Sequence, residues 1–187
     1  MDVYFIGAGP GDPELITVKG QNVLKRADIV IYAGSLVSPL VLDVCRKDAK
    51  IYDSASMNLQ EVSRVYKDQK DFPGIIVRLH TGDPSIYGAI QEQMDLLKKW
   101  DIPFKVIPGV SSFQASSAAL EQQLTLPGVS QTVILSRISG RTKTPESEDL
   151  ALLAQSRSTM VLFLSVDQAL SVQEKLLPSY GGETPVA

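Results

Sequence analysis

Three loops bring together the residue types that can hold a small molecule. Gly7-Ala8-Gly9-Pro10-Gly11-Asp12-Pro13 is the first, His80-Thr81-Gly82-Asp83-Pro84 the second, and Pro108-Gly109-Val110-Ser111-Ser112 the third. Glycine lets a ligand approach the backbone, and hydroxyls or a carboxylate fix its orientation. Phosphate is a poor match for the first loop. G-x-G-x-x-G spacing needs glycine at position 12, where Asp12 stands, and Pro10 lacks the N–H that a pyrophosphate would accept from. No acidic residue ends the second apolar run, which continues into Tyr32-Ala33-Gly34, and no Gly-Lys-Ser/Thr follows the loop, so dinucleotide fingerprint and P-loop both fail. Nor is there a nucleophile–base–orienter set. His80 is the only histidine, and no His neighbours Ser111 or Ser112 in sequence. No catalytic residue is assigned, and no metal-ligand cluster is read.

Each loop must be carried by a strand. Short β-branched runs at 3–6, 28–32, 50–52, 74–79 and 104–107 are bounded by Gly, Pro or Asp, as buried strands are. Helical spacing fills the intervals: 17–27 with Thr17 as N-cap, a helix opened by Pro39 with Leu40, Val41 and Val44, one capped by Asn58, and one from Pro84 to about Trp100. Strands separated by helices of this length predict a parallel sheet with right-handed crossovers. The loops at 7–13, 80–84 and 108–112 then leave carboxyl strand ends, where ligands of open parallel sheets collect. A Ser- and Ala-rich helix over 111–122 follows, and Leu126-Pro127-Gly128 reads as a linker. Beyond it come strands at 132–135 and 159–164, helices at 146–155 and 167–176, and a strand beginning near Thr184. The predicted organisation is an α/β lobe over 1–124 and a smaller, incomplete α/β lobe over 129–187.

Composition sets the outer bounds. The 187 residues are 44% hydrophobic and 21% charged, ordinary for a globular chain. A formal charge of −3, spread over both halves, argues against a nucleic-acid binder that works by bulk charge. A single cysteine, Cys45, excludes a disulfide scaffold and reads as a buried small hydrophobe. No apolar run is long enough to span a bilayer, and the first residues lack a basic n-region. A cytoplasmic α/β protein without membrane contact is the expectation.

The segments VYFIGAGPGDPELIT (3–17), VRLHTGDPSIYG (77–88) and IPGVSS (107–112) resemble the signature segments of the tetrapyrrole methylases. Leu124-Thr125-Leu126-Pro127 fits the stretch that joins that family's lobes, and the resemblance runs from Met1 to Ala187. Within the family, Tyr32-Ala33-Gly34-Ser35-Leu36-Val37 and the stretch 132–142 look most like the precorrin-4 C11-methyltransferases. The resemblance implies the two-lobed fold of the family, a homodimer, and S-adenosyl-L-methionine (SAM) held in a cleft between the lobes. By motif position it implies cofactor contacts from Pro10, Thr81, Gly82, Asp83, Ile86, Ser111, Ser112, Leu164 and Ala187. The implied activity is methyl transfer to C11 of precorrin-4 or its cobalt form in cobalamin synthesis, releasing S-adenosylhomocysteine. It also implies that the chain is a piece of a longer enzyme.

Such a reaction asks little covalent work of the protein, because ring carbon and sulfonium are already reactive. Holding the partners in line supplies up to about 7–11 kcal/mol. A tetrapyrrole bearing many carboxylates needs cations, for which Arg137 and Arg141 are candidates or else solvated surface residues. Ser35 either reaches the substrate or caps the segment at Pro39. His80 either tethers its loop or faces the pocket beside Arg78. Asp83 binds ribose or ammonium, caps the following helix, or does both. Two other readings stand beside this one: a methylase of the same fold acting at another carbon, and a SAM-binding fragment without turnover. A nicotinamide-binding module is a more distant third.

Overall fold

The computed structural model describes residues 1–140 and 142–187. It divides into two compact units, Met1–Ser116 and Ser117–Ala187. The first holds five strands: β1 (Asp2–Gly7), β2 (Ile29–Tyr32), β3 (Lys50–Asp53), β4 (Ile75–His80) and β5 (Phe104–Ile107). All pair in parallel, in the order β3-β2-β4-β1-β5. Helices α1 (Val18–Leu24), α2 (Leu59–Asp68) and α3 (Gln91–Lys99) make three of the connections, and a 3-10 segment, Pro39–Val44, makes the fourth.

Side chains alternate across this sheet and build a core on each face. Ile6, Val30 and Leu79 face one cluster, with Val23 and Leu24 of α1. Phe5, Ile31 and Ile76 face the other, with Val62 and Tyr66 of α2 and Leu97 of α3. Each fully buried side chain of this size contributes about 1.5–3 kcal/mol. Connections that move one way along the sheet therefore cross one face, and those that return cross the other, as uniform crossover handedness requires. Register then levels the strand ends: Gly7 pairs with His80, Ile6 with Ile107, and Tyr32 with both Leu79 and Asp53. All five carboxyl-end loops consequently emerge along one edge.

Several elements differ from expectation for local reasons. The helix expected from Pro84 begins only at Gln91, because Tyr87 and Ala89 adopt left-handed backbone with φ of 54° and 48°. The Pro39–Val44 segment buries only Val41 and closes as a tight 3-10 turn instead of an α-helix. The Ser- and Ala-rich helix, α4, is Ser112–Ala119, shorter than the expected 111–122.

The second unit pairs β6 (Val133–Ser136) with β7 (Thr159–Leu162) in parallel. The helix expected over 146–155 is split. Asp149 is extended (ψ 135°) and its carboxylate accepts from the Ala151 N–H, so α5 (Leu150–Leu153) starts afresh between two 3-10 turns. The helix expected over 167–176 becomes α6 (Ala169–Tyr180), preceded by a 3-10 turn. The strand expected near Thr184 is absent among the described residues, leaving a two-stranded sheet. The division between the units falls inside α4, not at 126–128. Thr159 Oγ1 donates to the Leu124 carbonyl, and Leu126 pairs with Ser130 in a tight turn, so the expected linker belongs to the second unit.

Candidate ligand-binding site

At the carboxyl ends of β1, β4 and β5, three backbones touch. Gly9 and Gly82 form an antiparallel pair, with the Gly82 N–H donating to the Gly9 carbonyl at 2.8 Å. The Ala8 N–H donates to the His80 carbonyl at 2.7 Å. A Cβ placed on Gly109 would lie 2.2 Å from the Gly82 carbonyl oxygen and 2.7 Å from the Gly7 Cα. On Gly7 it would lie 2.5 Å from both the Gly109 Cα and that same oxygen. The glycines of the three loops thus serve mutual contact as much as ligand approach.

Asp83 fastens the second loop to the third. Its Oδ2 accepts from the Gly109 N–H at 2.9 Å, and its Oδ1 accepts from the Ser85 N–H at 2.8 Å and from the Ser85 hydroxyl. Partial burial pushes its carboxyl upward, but the bonds from Ser85 and Gly109 outweigh it and hold Asp83 below the usual carboxylate range. The capping reading is therefore right in kind but applies to a turn, closed by Ile86 N–H to the Asp83 carbonyl, and not to a helix. Ser111, 3% exposed, stands before α4, where Gln114 Oε1 accepts its N–H at 2.8 Å. A Cβ on Gly82 would come 3.5 Å from the Ser111 Cα. Pro10, Thr81, Gly82, Asp83, Ile86, Ser111 and Ser112 therefore gather at one place in the first unit. Thr81 and Ser112 are exposed there.

Asp83→Asn tests the fastening. One of the two oxygens becomes an NH2, so a donor meets either the Gly109 or the Ser85 N–H. We expect a stability loss of about 2 kcal/mol, in line with a hydrogen bond to a charged group. Calorimetry with S-adenosylhomocysteine, the ligand that the resemblance implies, checks the site, and binding weakened by about tenfold or more is the expected result. With its folded pKa depressed, Asp83 adds stability that is present above about pH 3.9 and disappears as pH falls through the lower folded value.

Ser35 sits in the loop after β2, next to β4 in the sheet. It is exposed within a turn in which the Leu36 and Val37 N–H groups both donate to the Ala33 carbonyl at 2.9 Å. Among the described residues its side chain makes no capping bond at Pro39, where Ser38 stands at the N-cap. His80 is 8% exposed, with its ring 6.1 Å from that of Phe5. Burial first, and the Arg78 charge second, pull its pKa down to about 3, so it is neutral at physiological pH. Of its two readings, this burial favours the structural one.

In the second unit Leu164 follows β7 in left-handed backbone (φ 53°) and is 72% exposed. That conformation is uncommon for a residue other than glycine. Ala187 is exposed. Arg137 donates from Nη2 to the Thr142 carbonyl at 2.9 Å, closing the loop after β6. Arg141 lies outside the described residues.

The first-unit arrangement fits an adenosyl ligand: close backbone, small hydroxyls, an apolar neighbour in Ile86 and no phosphate-cradling array. With Asp83 held by three hydrogen bonds and His80 buried and neutral, neither group is placed to act as a general base. The motifs mark the loops but not the contact of Gly7 with Gly109. A glycine ending β1 and another just past β5 are the available signal for that contact. No described helix is long and apolar enough to cross a membrane.

Comparison with known proteins places these features in context. The profile of the Tetrapyrrole (Corrin/Porphyrin) Methylases matches residues 2–187. The chain is 53% identical over 186 residues to the cobalt-precorrin-4 C(11)-methyltransferase of Methanocaldococcus jannaschii, covering 99% of this chain and 72% of that protein. It is 44% identical to the precorrin-4 C(11)-methyltransferase of Pseudomonas aeruginosa, covering 100% and 74%. The X-ray structure of a cobalt-precorrin-4 methyltransferase superposes with a TM-score of 0.93 at 44% identity, over 97% of this chain and 76% of that one. A uroporphyrin-III C-methyltransferase from Thermus thermophilus, complexed with S-adenosylhomocysteine, gives 0.77 at 30% identity, over 99% and 74%.

Proposed function

Because the chain belongs to the tetrapyrrole methylases, we propose that it is a SAM-dependent C-methyltransferase acting at C11 of precorrin-4, metal-free or cobalt-bearing, in cobalamin biosynthesis. The observation that carries this is the 53% identity over nearly the whole chain to an enzyme of that name, joined to the TM-score of 0.93 with another. Bound SAM supplies an electrophilic methyl on a sulfonium. The chain's own part is positional. Pro10, the Thr81-Gly82-Asp83 turn, Ile86, Ser111 and Ser112 would hold the donor, and the contact of Gly7, Gly82 and Gly109 keeps their three loops in fixed relation. Ser35 is proposed for the tetrapyrrole side, together with the Arg137 loop and Arg141. Fixing two reactive partners in line supplies a large part of the rate enhancement for a nucleophilic ring carbon.

Incubation with methyl-labelled SAM and precorrin-4, followed by NMR of the product, is expected to show label at C11. Label at another carbon, or S-adenosylhomocysteine binding without transfer, would overturn this assignment. We further propose a cytoplasmic homodimer without nucleic-acid binding, the latter supported by the net charge of −3. Light scattering should then give twice the 20.3 kDa chain mass.

A further inference from the structure

Arg78 is 9% exposed at the end of β4 and has no carboxylate partner among the described residues. Its Nη1 donates to the Ile31 carbonyl at 3.2 Å and to Ser54 Oγ at 2.9 Å, while its Nε is buried without a partner. A buried cation without a counter-charge is costly, and an apolar side chain would fill the same space more cheaply. What the guanidinium adds is direction. Ser54 Oγ donates onward to the Tyr32 carbonyl at 2.9 Å, and the Ser54 N–H reaches the same oxygen at 2.7 Å. Both target carbonyls lie at the end of β2, immediately before the turn that presents Ser35.

The far side of that turn is held from the end of β3. Asp53 Oδ1 accepts from the Gly34 N–H and from the Ala55 N–H, each at 2.9 Å. These two bonds keep the Asp53 carboxyl below the usual range. A Cβ on Gly34 would lie 2.3 Å from Asp53 Oδ2, so the carboxylate lies directly against the loop backbone. Buried and exposed fasteners thus grip residues 31–34 from both sides, leaving Ser35 exposed on a preformed turn.

We propose that Arg78, acting through Ser54, is a positioning residue that fixes the β2 loop for the tetrapyrrole and so sets substrate affinity without setting affinity for the methyl donor. This rests on the C11-methyltransferase reading for its substrate but not for its loop geometry. Ser54→Ala removes one link and leaves the charge in place. Arg78→Met removes the charge, and Arg78→Lys keeps it on a single nitrogen without the planar guanidinium fork. For Ser54→Ala we expect KM for precorrin-4 to rise about tenfold, roughly one hydrogen bond. The affinity for S-adenosylhomocysteine and kcat should stay within about threefold, a split that general destabilisation would not produce. Arg78→Met should exceed Ser54→Ala, with Arg78→Lys between Arg78→Met and wild type.

Hydrogen exchange supplies a readout independent of turnover. The Gly34–Val37 amides should exchange about tenfold faster in Ser54→Ala, while those of 8–11 and 109–112 keep wild-type rates. Unchanged exchange at 34–37, or a shift in S-adenosylhomocysteine affinity with KM unmoved, would overturn the positioning role. If wild type methylates nothing while exchange behaves as expected, the substrate assignment fails and the fastening stands.

Discussion

Gly109→Ala is expected to weaken S-adenosylhomocysteine binding by about a hundredfold and to lower the melting temperature by several degrees. The new Cβ would sit 2.2 Å from the Gly82 carbonyl oxygen and 2.7 Å from the Gly7 Cα, separations that real Cβ atoms do not show. Both obstacles are backbone, so no rotamer change relieves them. The third loop must move away by about an ångström, and displacement of that size in a positioning site costs about a hundredfold. Overpacking of this kind costs about 1–3 kcal/mol of stability, or roughly 2–4 °C per kcal/mol for a chain of this length. Moving the loop would also stretch the Gly109 N–H bond to Asp83, now 2.9 Å. Gly182→Ala is the control, since no atom lies within 4 Å of the Cβ it would add. Calorimetry and thermal melts on both variants check this. Wild-type binding by Gly109→Ala would refute the three-backbone contact.

Acidification from pH 7 to pH 5 is expected to lower stability by about 2 kcal/mol through His80 alone. The unfolded histidine titrates near 6.5, whereas the folded one is drawn down to about 3. In that window the unfolded chain binds the proton and the folded chain does not. The stabilisation conferred by neutral, buried His80 is thus full above about pH 6.5 and is lost as pH falls toward the folded value. Each pH unit below 6.5 costs about 1.4 kcal/mol, so the melting temperature should drop by roughly 4–8 °C by pH 5. His80 is the sole histidine, which makes the assignment clean. In His80→Gln, which has no charge to gain, most of this slope should vanish, with melts at half-unit pH steps as the measurement. An equal slope in wild type and variant would show that the imidazole is solvated. The affinity for S-adenosylhomocysteine, by contrast, should show no histidine step between about pH 6 and 8.

The two predictions differ in how far the sequence could have reached them. Loop membership was legible, because Gly, Pro and short hydroxyl residues directly after β-branched runs mark the ends of buried strands. The seven described strands lie within two residues of the expected runs, because short β-branched runs bounded by Gly, Pro or Asp are a local signal. The strand expected near Thr184 has no counterpart among the described residues. The helix expected from Pro84 failed where Tyr87 and Ala89 turn left-handed, a conformation that neither residue type announces. The helix expected over 146–155 failed at Asp149, where an N-cap competes with helix continuation. The fate of Arg78 and His80 was not legible either. Alternation sets them on one side of β4, but not that both are buried there, His80 beside Phe5.

The parallel α/β class, the three carboxyl-end loops and the family follow from periodicity and motifs carried by contiguous residues. The shared contact of Gly7, Gly82 and Gly109, the tie that Asp83 makes between two loops, and the buried guanidinium behind a third arise only when the chain folds. Those facts depend on the register that sets Gly7 beside His80 and Ile6 beside Ile107. Register between strands far apart in the chain is a property of how two cores pack on one sheet, and no local segment encodes it.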